Sequence, residues 1–234
     1  MNTILKKQIA EFYKSETSDK DIKEREKILQ VRMYELSKSF LYGGYINVRN
    51  QYHIYIKTIE YYYHEEEGDI KDPIMYHRNK YFVEGDIPYF TPLSFNSHDT
   101  GVDITFENEE KKIRASVLIR AYEVLDCKNG KRLVWNPTAE QFQEYKDGYK
   151  TKYNTQCLYL KRILNGFVSE GTPDITWVDN SFNPNDIKEK DITISTRQGV
   201  YKSYDDVRYK VDKNNRKKDD KEWSFRREKD IVLQ

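Results

Sequence analysis

The stretch from Tyr52 to Tyr63, YHIYIKTIEYYY, is filled by β-branched and aromatic residues and contains neither glycine nor proline, so it reads as a β-strand. A period of two puts Ile54, Ile56, Thr58, Glu60 and Tyr62 on one face and His53, Tyr55, Lys57, Ile59 and Tyr61 on the other. The first face runs apolar and then ends in a carboxylate and a ring. A glutamate in that place is either an edge residue reaching water or a placed catalytic group.

A second stretch bears on that choice. IRASVLIRAYEVLD (113–126) alternates Ile113, Ala115, Val117, Ile119 and Ala121 against Arg114, Ser116, Leu118, Arg120 and Tyr122. From Ala115 to Ile119 neither face is charged, as expected of a central strand covered on both sides. Arg120 closes that run. A guanidinium taken out of water needs an anion, and Glu60, at the end of the other core strand, is the candidate.

Around these strands, local patterns assign the other elements. Leu5, Ile9 and Phe12 make a short amphipathic helix. Ser18 or Asp19 caps a second helix through Ile22, Leu29, Met33, Leu36 and Phe40, stopped by Gly43-Gly44. Strand 45–49 comes next, with Arg49-Asn50-Gln51 as a turn. HEEEGDIKDP is a loop, and the segment from Ile74 to Gly101 is irregular or made of short strands. GVDITFEN is a strand, and Asn136-Pro137-Thr138 opens a helix through Tyr145. Thr155 opens another helix with Leu158, Ile163 and Leu164, residues 170–190 are loop, and three strand candidates close the chain. Residues 1–20 are expected to be a helical extension and 21–234 one domain.

Charged residues make up 34% of the chain yet the net charge is only +1, so any polyanion surface must be a local patch. No apolar run reaches the ~18 residues of a membrane span. The N-terminus lacks a secretory h-region, which reads as cytoplasmic. Cys127 and Cys157 have no metal-ligand spacing, and the four histidines form no local cluster, so no cofactor or metal is expected. There is no phosphate-cradling glycine loop, HExxH or GxSxG. Ser97-His98-Asp99 is not read as a triad, which is a spatial arrangement.

In their order these segments resemble the alkyladenine (3-methyladenine) DNA glycosylase family. IKTIEYYY is similar to that family's I-V-E-T-E-A-Y, with Glu60 on the second glutamate and Tyr62 on the tyrosine. DPIMYHR resembles the D-x-A-x-H segment and places His77 on the histidine. ASVLIRAYEVLD is similar to A-V-L-L-R-A-L-E-P, with Arg120 on the active-site arginine. ELSKSFLYGGYI, TQCLYLKRILNG, ITISTRQGV and EWSFRRE resemble further family segments, so the likeness runs over roughly residues 33 to 230.

The resemblance implies an α+β fold, a single mixed domain with a curved, mainly antiparallel sheet and packed helices. It implies a monomeric base-excision enzyme that takes double-stranded DNA with a damaged base and flips the nucleotide out of the stack. Glu60 would activate a water as general base, Arg120 would lie against that site, and Tyr62 and His77 would pack on the purine. Two positions depart from the family pattern. Asp103 stands where the family has a pocket asparagine, adding like-charge repulsion if it lies near Glu60. The family's aromatic wall and minor-groove wedge correspond to PYFTPLSFNSHDTG, which offers Tyr89 and Phe90, then Phe95 or Asn96. The alternatives are a nucleic-acid binder of the same fold without chemistry, contacting DNA through Lys and Arg of 208–229, and a small-molecule hydrolase or binding protein that kept the pocket and lost the DNA surface.

Overall fold

In the computed structural model, which describes residues 4–14, 21–72, 74–75, 88–98, 101–136, 141–144, 160, 164, 175–197 and 221–228, two helices lead into a curled sheet. Helix α1 is Ile4–Phe12 and α2 is Ile22–Tyr42. The strands are β1 Gly44–Val48, β2 Tyr52–Glu65, β3 Ser94–His98, β4 Gly101–Thr105, β5 Ile113–Asp126, β6 Lys131–Asn136, β7 Gln141–Glu144, β8 Ile175–Asp179, β9 Ile192–Ser195 and β10 Ser224–Arg227. Every strand pair among the described residues is antiparallel, so the mixed α+β class with a curved antiparallel sheet is observed. No helix among the described residues is long and apolar enough to cross a membrane.

The two stretches read as core strands are β2 and β5, and they pair along their whole length from Tyr52↔Asp126 to Glu65↔Ile113. The ladder shifts register twice in adjacent steps, on either side of the Thr58↔Ala121 pair. Between Ile56↔Tyr122 and Ile59↔Ile119 the register skips Lys57 on β2 and Arg120 on β5. An unpaired residue bends a strand and re-aims the side chains beyond it. The neighbours also change here: β1 flanks β2 at Ile54 and β10 flanks it at Glu60, while β6 flanks β5 at Val124 and β4 flanks it at Leu118. The bulge is the seam between two half-sheets that share the β2–β5 ladder.

The bulge corrects the face assignment made from simple alternation. Ile54 and Ile56 share the main core with Ile59, Tyr61 and Tyr63, while Glu60 and Tyr62 face the other way. On β5, Ile119 and Tyr122 both reach that core, so Tyr122 changes face as well. One skipped residue shifts a period-two pattern by one, which moves every later side chain to the opposite face.

Helix α2 packs on β1, β2 and β10, and its Phe40 meets Tyr61, Phe106 and Trp177 at ring-centroid distances of 6.5, 6.3 and 6.1 Å. Its N-cap is Asp21, whose carboxylate accepts from the Glu24 amide at 2.9 Å, and its C-cap is Gly43. Ser18 and Asp19, the expected caps, lie outside the described residues. Helix α1 buries Leu5, Ile9 and Phe12, and Phe12 sits edge-on to Phe106 at 5.4 Å and to Tyr63 at 6.2 Å. Phe12→Ala is therefore expected to cost about 3–5 kcal/mol in urea unfolding, as for a core phenylalanine. A loss below about 1 kcal/mol would mean that α1 does not contribute to the core.

Two further expectations are corrected. Asn136 and Gln141–Glu144, the described part of the expected helix, are strand: β6 and β7 pair antiparallel through Asn136↔Gln141 and Trp135↔Phe142. Asn-Pro-Thr reads as a helix start, but Val134, Trp135 and Phe142 favour a pleated pair. Within the expected loop 170–190, Ile175–Asp179 is β8, paired with β1 through Trp177↔Ile46. Leu160 and Leu164 of the expected helix are buried core residues. Thr155 and the 205–211 strand candidate lie outside the described residues. The 49–51 turn is as expected, with Val48 paired to Tyr52.

Candidate active site at the sheet bulge

Glu60 is wholly buried on the sheet face away from the helices. Its Oε2 accepts from Arg120 Nε at 2.7 Å and lies 2.6 Å from Nη2. The Tyr62 hydroxyl donates to the same oxygen at 3.3 Å, and Arg120 Nη2 donates to that hydroxyl at 3.3 Å. The bulge explains how this comes about. Arg120 is the residue skipped on β5, which frees its side chain to reach diagonally to Glu60, paired with Leu118.

Three buried ion pairs can be compared. The side chains of Arg114–Glu107 are 0% exposed on both sides, and those of Arg197–Asp72 are 1% and 0%. In the third, Glu60 is 0% exposed but Arg120 keeps 15%. Two are sealed; Glu60–Arg120 opens to solvent. A buried ion pair is roughly neutral for stability against an apolar replacement of equal shape. An accessible one is where that lack of net gain is most readily offset by function.

Across the sheet, register aligns Asn96 (β3), Asp103 (β4), Leu118 (β5), Glu60 (β2) and Ser224 (β10) in one row. Asp103 is buried, and its Oδ2 accepts from Ser116 Oγ at 3.1 Å. Two strand spacings separate Asp103 and Glu60, about 10 Å between backbones, with Leu118 between them. Leu118, Tyr62 and Met75 form a small apolar wall beside the pair.

Of the residues singled out in the sequence, Glu60, Arg120, Tyr62 and Asp103 therefore share one face and one neighbourhood. Tyr89 does not join them: its ring lies 3.6 Å from the Arg114 guanidinium. Arg114 is four residues from Leu118 along β5, about 13 Å away. Phe95 packs against the main core and pairs with the core residue Ile104, so it faces away from Asp103. Its neighbour Asn96 occupies the Asp103 row instead. His77 lies outside the described residues.

One residue of the neighbourhood was not singled out. Arg197, buried, is held by Asp72 at 2.5 Å and by the Tyr61 carbonyl at 3.2 Å, and its guanidinium is 5.0 Å from the rings of both Tyr62 and Trp223. Arg197 stands in the TRQG segment, but its partner lies 125 residues away, and no local pattern reports such a pairing. Burial and the Glu60 carboxylate hold the Tyr62 phenol protonated far above its ordinary range, while Arg120 and Arg197 oppose them. Among the described residues no three His, Cys, Asp or Glu side chains are grouped as metal ligands.

Tyr13, Tyr61 and Tyr63 are raised in the same direction, mainly by burial. Unfolded tyrosines ionise near 10.0 while these four stay neutral in the fold, so the unfolded chain binds fewer protons above that pH. Stability is expected to be intact below pH 10.0 and to fall above it. Each tyrosine contributes up to about 1.4 kcal/mol per pH unit. Denaturation midpoints followed with tyrosinate absorbance test this, and a flat alkaline profile contradicts it.

Compared with protein-family models, curated proteins and solved structures, the chain finds no match in any of the three. The fold and site define an α+β protein with a curled antiparallel sheet and a solvent-reachable Glu–Arg pair at its bulge.

Proposed function

We propose that this protein hydrolyses the N-glycosidic bond of a modified purine in DNA, with Glu60 as the general base. The observation that carries the reading is the fully buried Glu60 held by Arg120, the one of the three compared pairs whose arginine reaches solvent. Arg120 holds the carboxylate in place and aims it. Glu60 takes a proton from a water, whose oxygen bonds to the anomeric carbon of the sugar. The bond from that carbon to the purine nitrogen breaks, its electron pair cancels the positive charge that alkylation put on the ring, and the base departs as the neutral heterocycle while Glu60 keeps the proton.

Alkylated purines suit such a site because they are electron-poor, depart readily and cost least to unstack from the duplex. The Tyr62 ring, backed by the buried Leu118 and Met75, is the apolar side chain beside Glu60 that a flat base would meet. Asp103, oriented by Ser116, can accept from an N–H on the purine edge. The test is release of free purine from alkylated duplex DNA, leaving an abasic site. Release by the wild type is the expected result. DNA binding without release points to the same fold used only for binding, and neither binding nor release overturns both.

A further inference from the structure

The sheet face that carries Glu60 continues past the bulge and carries a second cluster. Tyr45 of β1 and His53 and Tyr55 of β2 alternate with the core residues Ile46, Ile54 and Ile56, so their rings stand on the side away from the helices, partly exposed. Tyr45 and His53 lie 4.0 Å apart at 31°, and Tyr45 and Tyr55 lie 5.4 Å apart at 44°. This is a short column of tilted rings, with His53 edge-on to Tyr55 at 6.4 Å and 74°, and its partly exposed faces can receive a further flat ring. Register sets Asn47, His53, Leu125 and Arg132 in a row across β1, β2, β5 and β6.

Cationic side chains, held by carboxylates, stand around the column. Lys57 lies 3.0 Å and Arg132 3.9 Å from Glu123, and Arg226 lies 2.7 Å from Glu228. Lys57, Arg132 and Arg226 thus stand against Glu123 and Glu228, and Arg227 lies close enough to act on the Tyr55 phenol. Rings that can stack, with cationic side chains beside them, match a chain of flat bases on a phosphate backbone. Bases in a duplex have their faces covered by each other, so the matching form is single-stranded.

We propose that Tyr45, His53 and Tyr55 form a stacking platform for single-stranded nucleic acid, with phosphates meeting Lys57, Arg132 and Arg226. The platform rests on residues separate from Glu60 and stands or falls independently of the glycosidic chemistry. Burial holds His53 toward its neutral form, which leaves a ring suited to stacking.

Fluorescence anisotropy with a labelled mixed-sequence DNA single strand, an RNA of the same sequence and the DNA duplex tests it. The expected result is single-strand binding that weakens with added salt. Tyr45→Leu and Tyr55→Leu are each expected to weaken it about 5- to 150-fold, the range for one stacked base. Tyr55→Phe keeps the ring and is expected to bind as the wild type does. Far-UV circular dichroism confirms the fold of each variant, and the two leucine variants serve as independent tests. Equal binding of DNA and RNA, or a preference for either, agrees with the proposal and reports on the sugar. It is overturned by absence of single-strand binding or by leucine variants that bind like the wild type. It is also overturned by duplex binding of equal strength and equal sensitivity, or by self-association lost in Tyr55→Leu without single-strand binding.

Discussion

Arg114→Ala is expected to destabilise the fold by about 3–5 kcal/mol, the cost of leaving a buried charge uncompensated. Arg114 is 0% exposed, and its guanidinium donates to Glu107 and to the Pro88 carbonyl, each at 3.0 Å, and to Glu66 at 3.2 Å. Alanine removes all three donors and the surface on which Tyr89 lies. Glu107, equally buried, would keep the Phe90 amide as a donor at 2.7 Å but lose its counter-charge. Arg114→Met with Glu107→Leu is expected to lose much less than the two single changes added together, because neither charge is then stranded. Urea unfolding of the singles and the double reads this. A single-variant loss under about 1 kcal/mol would mean that the network is solvated and not sealed.

The largest kinetic effect is expected at Glu60. Glu60→Gln keeps the shape and removes the base, so base release is expected to fall about 10²- to 10⁴-fold, the range for a positioned proton acceptor. The amide oxygen can still accept from Arg120, which at 15% side-chain exposure also has water to turn to. The stability cost should therefore be smaller than at Arg114. Tyr62→Phe keeps the ring and loses the hydroxyl between Glu60 and Arg120, so a smaller fall is expected there. That ordering separates the reactive carboxylate from the group that only helps to hold it.

Legibility in the sequence depends on range. The β2 and β5 strands were legible because their patterns are local, and so was the Glu60–Arg120 contact. Its signal was Arg120 closing the uncharged run Ala115–Ile119 on β5, since a guanidinium there needs an anion; the apolar face read as leading to Glu60 lies on the other side of the sheet. The bulge between Ile56 and Ile59 was not legible. Lys57 and Arg120 look like ordinary alternating residues, and only the pairing of the two strands reveals that each is skipped.

The faces of Ile54, Ile56 and Tyr122 were lost with the bulge, although every residue in question was correctly placed in a strand. Tyr89 and Phe95 were placed near the site by motif order, which carries no information on direction. Arg114 draws Tyr89 away, and Phe95 joins Ile104 in the core. Arg197 could not be found for the same reason as the bulge: its partners Asp72 and Trp223 arrive from distant parts of the chain.

The most direct test of the catalytic role of Glu60 is single-turnover release of free purine from an alkylated duplex by the wild type and Glu60→Gln side by side, with the thermal midpoint of each preparation recorded. The expected result is release by the wild type, loss of release in the variant by about 10²-fold or more, and folded protein in both samples. Release by a folded Glu60→Gln at the wild-type rate, or none by the wild type, would contradict that role.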